Sequence, residues 1–534
     1  METNEHKNAG DQIRIEGFGN PYFTGSKNLS PDPDNALKLT MMNKVDGIPV
    51  PLDLNLSAGD IVALAGDYYT KAGWGNDLNV TDSDSESISN PVQQKELRAF
   101  RQAFDDLASP NVKKSDVDRI YAIENKLPSL LQEVAYAFAV KDYSNKLYNN
   151  VAHFSPWSVR AYIVGHNSAL RMAQMAYLCH QIADKKISED DPSIPQKLKV
   201  QLQQIRADRD KYQFSGKNDQ EILVELGHRY HALAVSRDLF AMHFYSDHFA
   251  GGHMSRMGMM RKTLPEQFGV WGSVLVNNMH NEDNNHSVTS TNPFQPEIDA
   301  GHKMADVPFS MIREDTAAYG DGTYFEHENN ENSNMLINGM DNSLGDIARL
   351  MATGEMRKSC NYGGLAFLPE IDKNKRQTQP LLIHTDDGKT YFRSDLKNIK
   401  MLSPSEYQQT VENPGAHGYE QLTYFKSFLL VLKLRVLAPF YASKVESIDA
   451  KREKEIASDE QAWEQENKKQ PELSKQTVFN HEIVKQEEQS VKPVGEWRNN
   501  KPASVPAAGI NRFLSQMPLG KTEEETPDTQ LALR

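Results

Sequence analysis

Apolar side chains recur at every third or fourth position over two long stretches of the chain, residues 96–182 and 221–250. This spacing predicts helices with one buried face. In the second stretch the apolar stripe consists of Leu223, Leu226, Tyr230, Leu233, Phe240 and Phe244. Residues 335–355 repeat the helical period, and residues 56–69 predict a helix that approaches a tight turn near Gly66. The pattern therefore predicts a mainly α-helical protein.

Polar stretches separate these helices. Residues 184–220, rich in Lys, Asp and Gln, predict an exposed helical excursion, whereas residues 281–334, dense in Asn, Asp and Gly, predict loops. Residues 381–393 alternate around Asp387-Gly388, which is typical of a β-hairpin. Small β-elements are therefore expected beside the helical body.

The most apolar segment, residues 428–441, is 14 residues long and includes Lys433 and Arg435. A helix that spans a bilayer needs about 20 predominantly apolar residues, so this segment is too short and too charged to cross a membrane. It predicts a buried or amphipathic helix that ends near Pro439, and a role at a membrane surface stays open.

Three regions follow from these patterns. Residues 1–50 are polar, with many Pro, Gly and Asn, and predict an irregular lead-in. Residues 51–442 hold the helical periods and predict the main domain. Residues 443–534 carry few apolar side chains among Lys, Glu, Gln and Pro, which predicts a charged, partly disordered tail.

The amino-acid composition argues against several classes of function. The 534 residues include 59 basic and 73 acidic side chains, a net charge of −14. This excess of acid argues against a general nucleic-acid binder, which needs a basic face, but not against a nuclease built on metal ions. Two cysteines, Cys179 and Cys360, cannot form a paired CxxC zinc site and are expected to be plain thiols. The polar residues 1–10 do not resemble a Sec signal peptide.

Histidine is concentrated in the middle of the chain. Eight of the 16 histidines fall within residues 228–302, where even spacing would place about two. They are His228, His231, His243, His248, His253, His280, His286 and His302. Neutral imidazole is the commonest metal ligand in proteins, so this cluster marks a candidate metal site.

The most specific spacing lies within this cluster. His243 and Asp247 are four residues apart, so on a helix their side chains share one face. That face adjoins the apolar stripe, which directs both polar groups inward, where each needs a partner. Gly251-Gly252 then ends the helix and brings His253 back toward the same pocket. The spacing indicates a metal site with three ligands. The alternative is that His243 and Asp247 only hydrogen-bond each other and neighbouring groups.

Further candidate ligands lie elsewhere in the chain, each beside a turn or on a helical face. They are Asp67, His153, His166, His280, Glu282, Asp283 and Asp321. Taken singly, each is also explained as an ordinary core or loop residue. The sequence contains no HExxH, GxSxG or Walker motif. A pocket of imidazoles and carboxylates without thiolates favours zinc or a similar divalent ion at a hydrolytic site.

The order His243-x3-Asp247-x5-His253 resembles the ligand spacing of the superfamily of zinc-dependent phospholipase C and P1 nuclease, an all-α fold that holds three zinc ions. More closely, five runs resemble the bacterial and fungal zinc metallophospholipase C family, which acts on phosphatidylcholine. They are GDIVALAGDYY (59–69), HFSPWSVRAYIVGH (153–166), DLFAMHFYSDHFAGGHMSR (238–256), MHNEDN (279–284) and AYGDG (318–322). The family includes effectors that intracellular bacteria inject into host cells by type IVB secretion, and the acidic tail 521–534 resembles the secretion signal of such effectors.

The resemblance implies a zinc phospholipase C-like catalytic domain over 51–442 that binds two or three zinc ions. The zinc ligands it implies are His243, Asp247 and His253. It extends to four further ligands in the other matching runs, Asp67, His153, His166 and His280. The older zinc phospholipases place a glutamate four residues after a later histidine. Position 284, four after His280, is Asn284 here, so either Glu282 or Asp283 substitutes or the geometry differs.

The implied reaction is hydrolysis of phosphatidylcholine-type lipids to diacylglycerol and phosphocholine at a membrane surface. Asp67 would accept a proton from water, and Asp247 is the second candidate catalytic carboxylate. Choline favours an aromatic wall, for which Trp74, Trp157 and Trp271 are candidates.

The resemblance also implies export without a Sec signal, through the tail and a secretion machinery, into the host cytoplasm. Two rival functions stay open. One is a P1-type zinc nuclease, and the other is a non-catalytic effector that has a structural metal site and binds a host protein.

Overall fold

Helices account for 60% of the structure and strands for 12%, which confirms the predicted mainly α class. The computed structural model describes residues 2–13, 19–25, 36–78, 91–126, 149–155, 157–292, 316–320, 324–325, 330–358 and 362–468, together with residues 135, 140, 145 and 146. Within these residues, no helix has the length and apolar character that crossing a bilayer requires.

The helices occur along the whole described chain. In order they are α1 (Thr3–Asp11), α2 (Ala58–Leu64), α3 (Pro91–Leu107), α4 (Lys114–Lys126), α5 (Trp157–Ala183), α6 (Gln196–Ala207), α7 (Asp219–Asp247), α8 (Ser255–Phe268), α9 (Val270–His286), α10 (Asn330–Thr353), α11 (Pro404–Glu412), α12 (Tyr424–Val431), α13 (Ala438–Tyr441) and α14 (Ala450–Lys468). Two helices continue into π-helical turns, Ala65–Tyr69 after α2 and Leu432–Val436 after α12.

Helices α5 and α7 lie side by side at the centre of the fold. Helix α7 begins at a capping box, in which the side chains of Asn218 and Glu221 each accept the other's backbone N–H. The predicted stripe from Leu223 to Phe244 is buried and contributes to the main core. The helix is buried nearly all round up to Asp247, so the polar groups at its C-terminal end are enclosed as well.

The strands form small sheets beside the helices. In order they are β1 (Phe23–Thr24), β2 (Lys38–Val45), β3 (Ile48–Ser57), β4 (Val288–Thr291), β5 (Thr316–Ala318), β6 (Glu370–Ile371), β7 (Gln377–Thr378), β8 (Leu382–His384), β9 (Thr390–Arg393), β10 (Asn398–Ile399), β11 (Met401–Leu402), β12 (Tyr419–Gln421) and β13 (Lys444–Val445). Antiparallel sheets have the orders β1-β2-β3, β5-β4-β6, β12-β9-β8 and β11-β7, whereas β10 and β13 pair in parallel. The β8–β9 pair confirms the predicted hairpin over residues 381–393.

The prediction of an irregular lead-in over residues 1–50 is wrong for the described part of that region. Helix α1 has a capping box between Glu2 and Glu5, and it packs so closely on α2 that a Cβ on Gly10 would lie 2.6 Å from the Cα of Gly59. Strands β2 and β3 form a hairpin around Asp46-Gly47, both with positive φ. The hairpin has a local signal, the Asp46-Gly47 turn between two apolar stretches, whereas α1 shows little hydrophobic period and depends on its packing against α2.

The predicted loop over residues 281–334 is also partly wrong. Helix α9 continues into this stretch as far as His286. Strands β4 and β5 then pair with each other, and α10 begins at Asn330. Residues 184–220, predicted as an exposed helical excursion, include helix α6, which buries Leu198, Leu202 and Ile205.

The start of the predicted tail is helical and attached to the fold. Helix α14 contacts the body of the protein through Arg376, which binds Glu453 and Glu460, and through Ser405, whose backbone N–H donates to Asp459 at 2.9 Å. Residues 469–534, including the predicted secretion signal, lie outside the described residues.

Candidate metal centre

The last turn of α7 carries the central pair of the site. His243 and Asp247 lie one turn apart on the same face, and each is 1% exposed. His243 Nε2 is 3.6 Å from Asp247 Oδ2. The predicted shared, inward face is therefore confirmed, and it places an imidazole and a carboxylate together in the core.

Two short 3-10 turns bring further imidazoles to this carboxylate. His153 ends the turn Val151–His153, and its Nδ1 lies 2.7 Å from Asp247 Oδ2 and 3.3 Å from His243 Nε2. His253 ends the turn Gly251–His253, where its Nδ1 lies 3.5 Å from Asp247 Oδ1. His253 Nδ1 also donates to the carbonyl oxygen of His153, at 2.9 Å, which links the two turns.

The fourth imidazole is His6, which the sequence analysis missed. His6 Nε2 lies 3.3 Å from Asp247 Oδ1, and the His6 ring stacks on the ring of His243 with centroids 4.1 Å apart. One ring nitrogen of His6, one of His243 and one carboxylate oxygen of Asp247 all lie within 4.8 Å of one another. This triad has the composition and spacing of a metal site.

Contacts behind the triad fix the orientation of its rings. His243 Nδ1 donates to the carbonyl oxygen of Val62 at 2.9 Å, and His6 Nδ1 lies 2.8 Å from the hydroxyl of Ser246. Metal-binding histidines commonly use the second ring nitrogen in this way. The donor set, all imidazole nitrogen and carboxylate oxygen, fits zinc.

The surroundings set the protonation of these groups. Burial lowers the pKa of His243 and of His253 well below the ordinary value for histidine, although Asp247 acts in the opposite direction on both. Burial alone would raise the pKa of Asp247, but His253, His6 and His243 around it hold that pKa well below its ordinary value. Neutral imidazoles around an ionised carboxylate are the forms that bind metal.

Glycine lets the backbone of the π-helical turn Ala65–Tyr69 approach the cluster. A Cβ on Gly66 would lie 1.9 Å from His243 Nε2 and 2.5 Å from His153 Cε1, so a larger residue does not fit. Asp67 follows directly in this turn, and its side chain lies outside the described residues. The role predicted for Asp67 stays a prediction, as does that of Asp321, which also lies outside them.

His280 lies at the edge of the cluster. Its ring centroid is 4.7 Å from that of His253, and its Nε2 is 3.2 Å from the Nδ2 of Asn284. The amide oxygen of Asn284 accepts a hydrogen bond from the backbone N–H of Gly252 at 2.7 Å. The amide of Asn284 thus connects His280 to the turn of His253.

The structure places Glu282 and Asp283, which the sequence predicts as metal ligands, in ion pairs with arginines rather than beside Asp247. Both oxygens of Glu282 accept from Arg393 at 2.9 Å, and Asp283 is paired with Arg256 through both of its oxygens. Each carboxylate is thus held by a guanidinium from a distant part of the chain. Residue spacing alone could not distinguish an ion pair from a ligand.

The structure places His166, also predicted as a ligand, beside Asp238 and Asp346 rather than beside Asp247. It is fully buried, with Nδ1 2.6 Å from Asp238 Oδ1 and Nε2 3.4 Å from Asp346 Oδ2. Ser343 Oγ donates to Asp238 Oδ2 at 2.9 Å. Burial acts to lower the pKa of His166, but Asp238 and Asp346 outweigh it and raise that pKa to about 9. His166 is therefore a buried cation between two carboxylates.

A small pocket opens beside the cluster, and Gly66 and His153 form part of its wall. Lys71, Lys146 and Trp74 also line it. Lys146 Nζ donates to the carbonyl oxygen of Tyr68 at 2.9 Å, which holds this cation in the wall. The pocket thus offers positive charge next to the imidazoles.

The three tryptophans predicted as a choline wall lie in different surroundings. Trp74 lines the pocket but is 5% exposed, and its indole N–H donates to the carbonyl oxygen of Glu96. Trp157 is buried, and Trp271 is half-buried with its ring 5.2 Å from that of Phe428. Of the three, only Trp74 is placed beside the pocket described above.

Comparison with known proteins gives no relative: no protein-family model, no curated protein and no solved structure matches the chain.

Proposed function

We propose that this protein is a zinc-dependent phospholipase C that hydrolyses phosphatidylcholine-type glycerophospholipids to diacylglycerol and phosphocholine. The observation that carries the proposal is the convergence of four imidazoles, His6, His153, His243 and His253, on the single buried carboxylate of Asp247. A purely structural role explains this set poorly, because structural zinc sites usually have four protein ligands around one ion.

His6, His243 and Asp247 would hold one zinc ion. His153 and His253, which also lie beside Asp247, are the donors available to a second. When bound, zinc polarises phosphoryl oxygens and lowers the pKa of a bound water toward 7. Asp247 would be the carboxylate common to both sets of donors, because histidines of each set lie beside each of its oxygens.

Side chains of the protein would attract the substrate and accept the proton. Lys71 and Lys146 in the pocket wall would attract the anionic phosphodiester toward His153. Asp67, next to Gly66, is our candidate for the carboxylate that accepts the proton of the attacking water. The water oxygen bonds to phosphorus, the bond from phosphorus to the glycerol oxygen breaks, and that oxygen takes up a proton to give diacylglycerol.

The cellular setting is part of the same proposal. The tail 521–534 would act as a secretion signal that delivers the enzyme into a host cell, where a membrane presents the substrate. A fusion of a translocation reporter to the chain, with and without residues 521–534, tests this point. Equal delivery of both forms would rule out the tail as the signal.

The activity is tested with purified, zinc-loaded protein. We expect phosphocholine release from phosphatidylcholine, loss of that release in Asp247→Asn, and normal release in His417→Gln, whose histidine ends the turn Pro414–His417 outside the cluster. Degradation of single-stranded DNA with no lipid turnover would favour the P1-type nuclease instead. Bound zinc with no hydrolysis of either substrate would favour the non-catalytic effector.

A further inference from the structure

One segment of the surface is unusually apolar. Ten large hydrophobic side chains are exposed in the described residues, and eight of them lie between positions 424 and 440. These eight, here called the apolar face, are Tyr424, Phe425, Phe428, Leu429, Leu432, Val436, Leu437 and Phe440. Phe425, Val436 and Phe440 are each at least 67% exposed. Contiguous apolar surface of this kind marks an interaction site.

The opposite side of the same segment is anchored in the protein. Leu430 and Val431 of α12 are buried in the second apolar core, together with Leu264 of α8 and Leu275 of α9. Phe428 packs against Trp271 at the start of α9, with ring centroids 5.2 Å apart. The segment is therefore fixed by its buried side, and the fold does not account for the exposed one.

The charged side chains within the segment that carries the apolar face are all basic. Between Glu420 and Glu446 the sequence has no acidic residue, but it has four basic ones. They are Lys426, Lys433, Arg435 and Lys444. Lys426 is paired with Glu420, whereas Lys433 and Arg435 form no ion pair with a carboxylate of the described residues. This local basic excess stands out in a chain of net charge −14.

We propose that the apolar face binds the surface of a phospholipid membrane, lying in the interface rather than crossing it. Aromatic and aliphatic side chains with flanking Lys and Arg are the composition of interfacial helices, and the basic residues complement anionic headgroups. A symmetric dimer through this face is disfavoured, because it would bring the same basic residues of two copies together without acidic partners.

The face is connected to the candidate metal centre through α9. Trp271, which contacts Phe428, and His280, beside His253, are nine residues apart on this helix, or about 14 Å along its axis. Membrane binding by the apolar face would thus hold the cluster near the headgroup layer. This second step rests on the proposed function, whereas membrane binding itself does not.

The test is co-sedimentation of the full chain with vesicles of phosphatidylcholine and phosphatidylserine at a ratio of about four to one. We expect Phe425→Ser combined with Phe440→Ser to weaken binding by about tenfold or more, because each phenyl ring loses its burial in lipid. The matched control is Val200→Ser, which changes an exposed apolar side chain on α6 and should bind like the wild type. Lys433→Glu combined with Arg435→Glu should weaken binding most when the vesicles contain phosphatidylserine.

Binding that is equal for the wild type and the Phe425/Phe440 variant would overturn the proposal. So would a wild type that fails to bind vesicles but forms a dimer that this variant abolishes, because the face would then be a contact between two copies.

Hydrolysis of a monomeric short-chain phosphatidylcholine separates this inference from the proposed function. A variant that keeps this hydrolysis but loses turnover of vesicles supports both. A wild type that binds vesicles through the apolar face but hydrolyses no phospholipid would support the proposed membrane binding and contradict the proposed phospholipase activity.

Discussion

His6 Nε2 lies 3.3 Å from Oδ1 of Asp247, so the first helix of the chain closes onto the helix that carries the centre of the candidate site. Because His6 also contacts Ser246 and stacks on His243, it touches three neighbouring positions of α7. The N-terminal helix is therefore part of the candidate metal centre.

Replacing His6 tests this relationship. His6→Ala removes one imidazole of the triad, and we expect zinc affinity to fall by about tenfold or more, at least the loss seen when an outer partner of a ligand is removed. Competition with a chromophoric chelator measures the affinity. His417→Ala, outside the cluster, should leave it unchanged. Wild-type affinity in His6→Ala would show that His6 is not a ligand.

Gly66→Ala should destroy the site without destroying the fold. The added methyl group would lie 1.9 Å from His243 Nε2, so the ring must move and the ligand spacing is lost. We expect zinc binding and phosphocholine release to fall to background, with a far-UV circular dichroism spectrum like that of the wild type. The control is Gly345→Ala in α10, where an added Cβ would meet no atom within 4 Å. This substitution should stabilise the helix by about 1 kcal/mol, because alanine has the higher helix propensity. An active, zinc-loaded Gly66→Ala protein would contradict the geometry.

The centre of this site could be predicted from the sequence, and its periphery could not. The spacing of His243 and Asp247 on an apolar helix, with His253 after two glycines, fixes three side chains through local geometry alone. His6 was missed because its helix shows little hydrophobic period and is held by contacts with α2 and α7. Glu282 is bound to an arginine more than a hundred residues away, and spacing does not reveal such partners.

Asp283→Asn should separate a structural ion pair from a metal ligand. Arg256 would be left buried without its charged partner, which costs about 3–5 kcal/mol of unfolding free energy. Denaturant unfolding measures this loss, and elemental analysis of the folded variant should show the zinc content of the wild type. A loss of zinc without a loss of stability would reverse the assignment.

The buried His166 predicts a dependence of stability on pH. Its pKa is about 9 in the folded protein, against 6.5 for free histidine, so its charge stabilises the fold fully below about pH 6.5. This contribution, on the order of 3 kcal/mol, should be lost as the pH rises through 9. The difference in unfolding free energy between the wild type and His166→Gln, measured from pH 6 to about 9.5, should shrink accordingly. A constant difference would mean that His166 is neutral in the folded protein.

The secondary structure likewise includes elements that local sequence patterns predict and elements that depend on contacts with distant parts of the chain. The stripe from Leu223 to Phe244 and the hairpin at Asp387-Gly388 carry their own signals and were predicted. The hairpin at Asp46-Gly47 has the same turn signal, but the polar residues before it directed the prediction to an irregular region. The C-terminal part of α9 is dense in Asn and Asp, which favour loops, and there packing against the rest of the chain outweighs local preference.

Zinc K-edge X-ray absorption of the dialysed full chain tests most directly whether the imidazoles around Asp247 form a metal centre. We expect at least one zinc ion per chain, with nitrogen and oxygen neighbours at about 2.0–2.2 Å, the scattering pattern of several imidazoles, and loss of this signal in Asp247→Asn. A wild-type chain that retains no zinc, or a zinc ion with sulfur neighbours at about 2.3 Å, would contradict it.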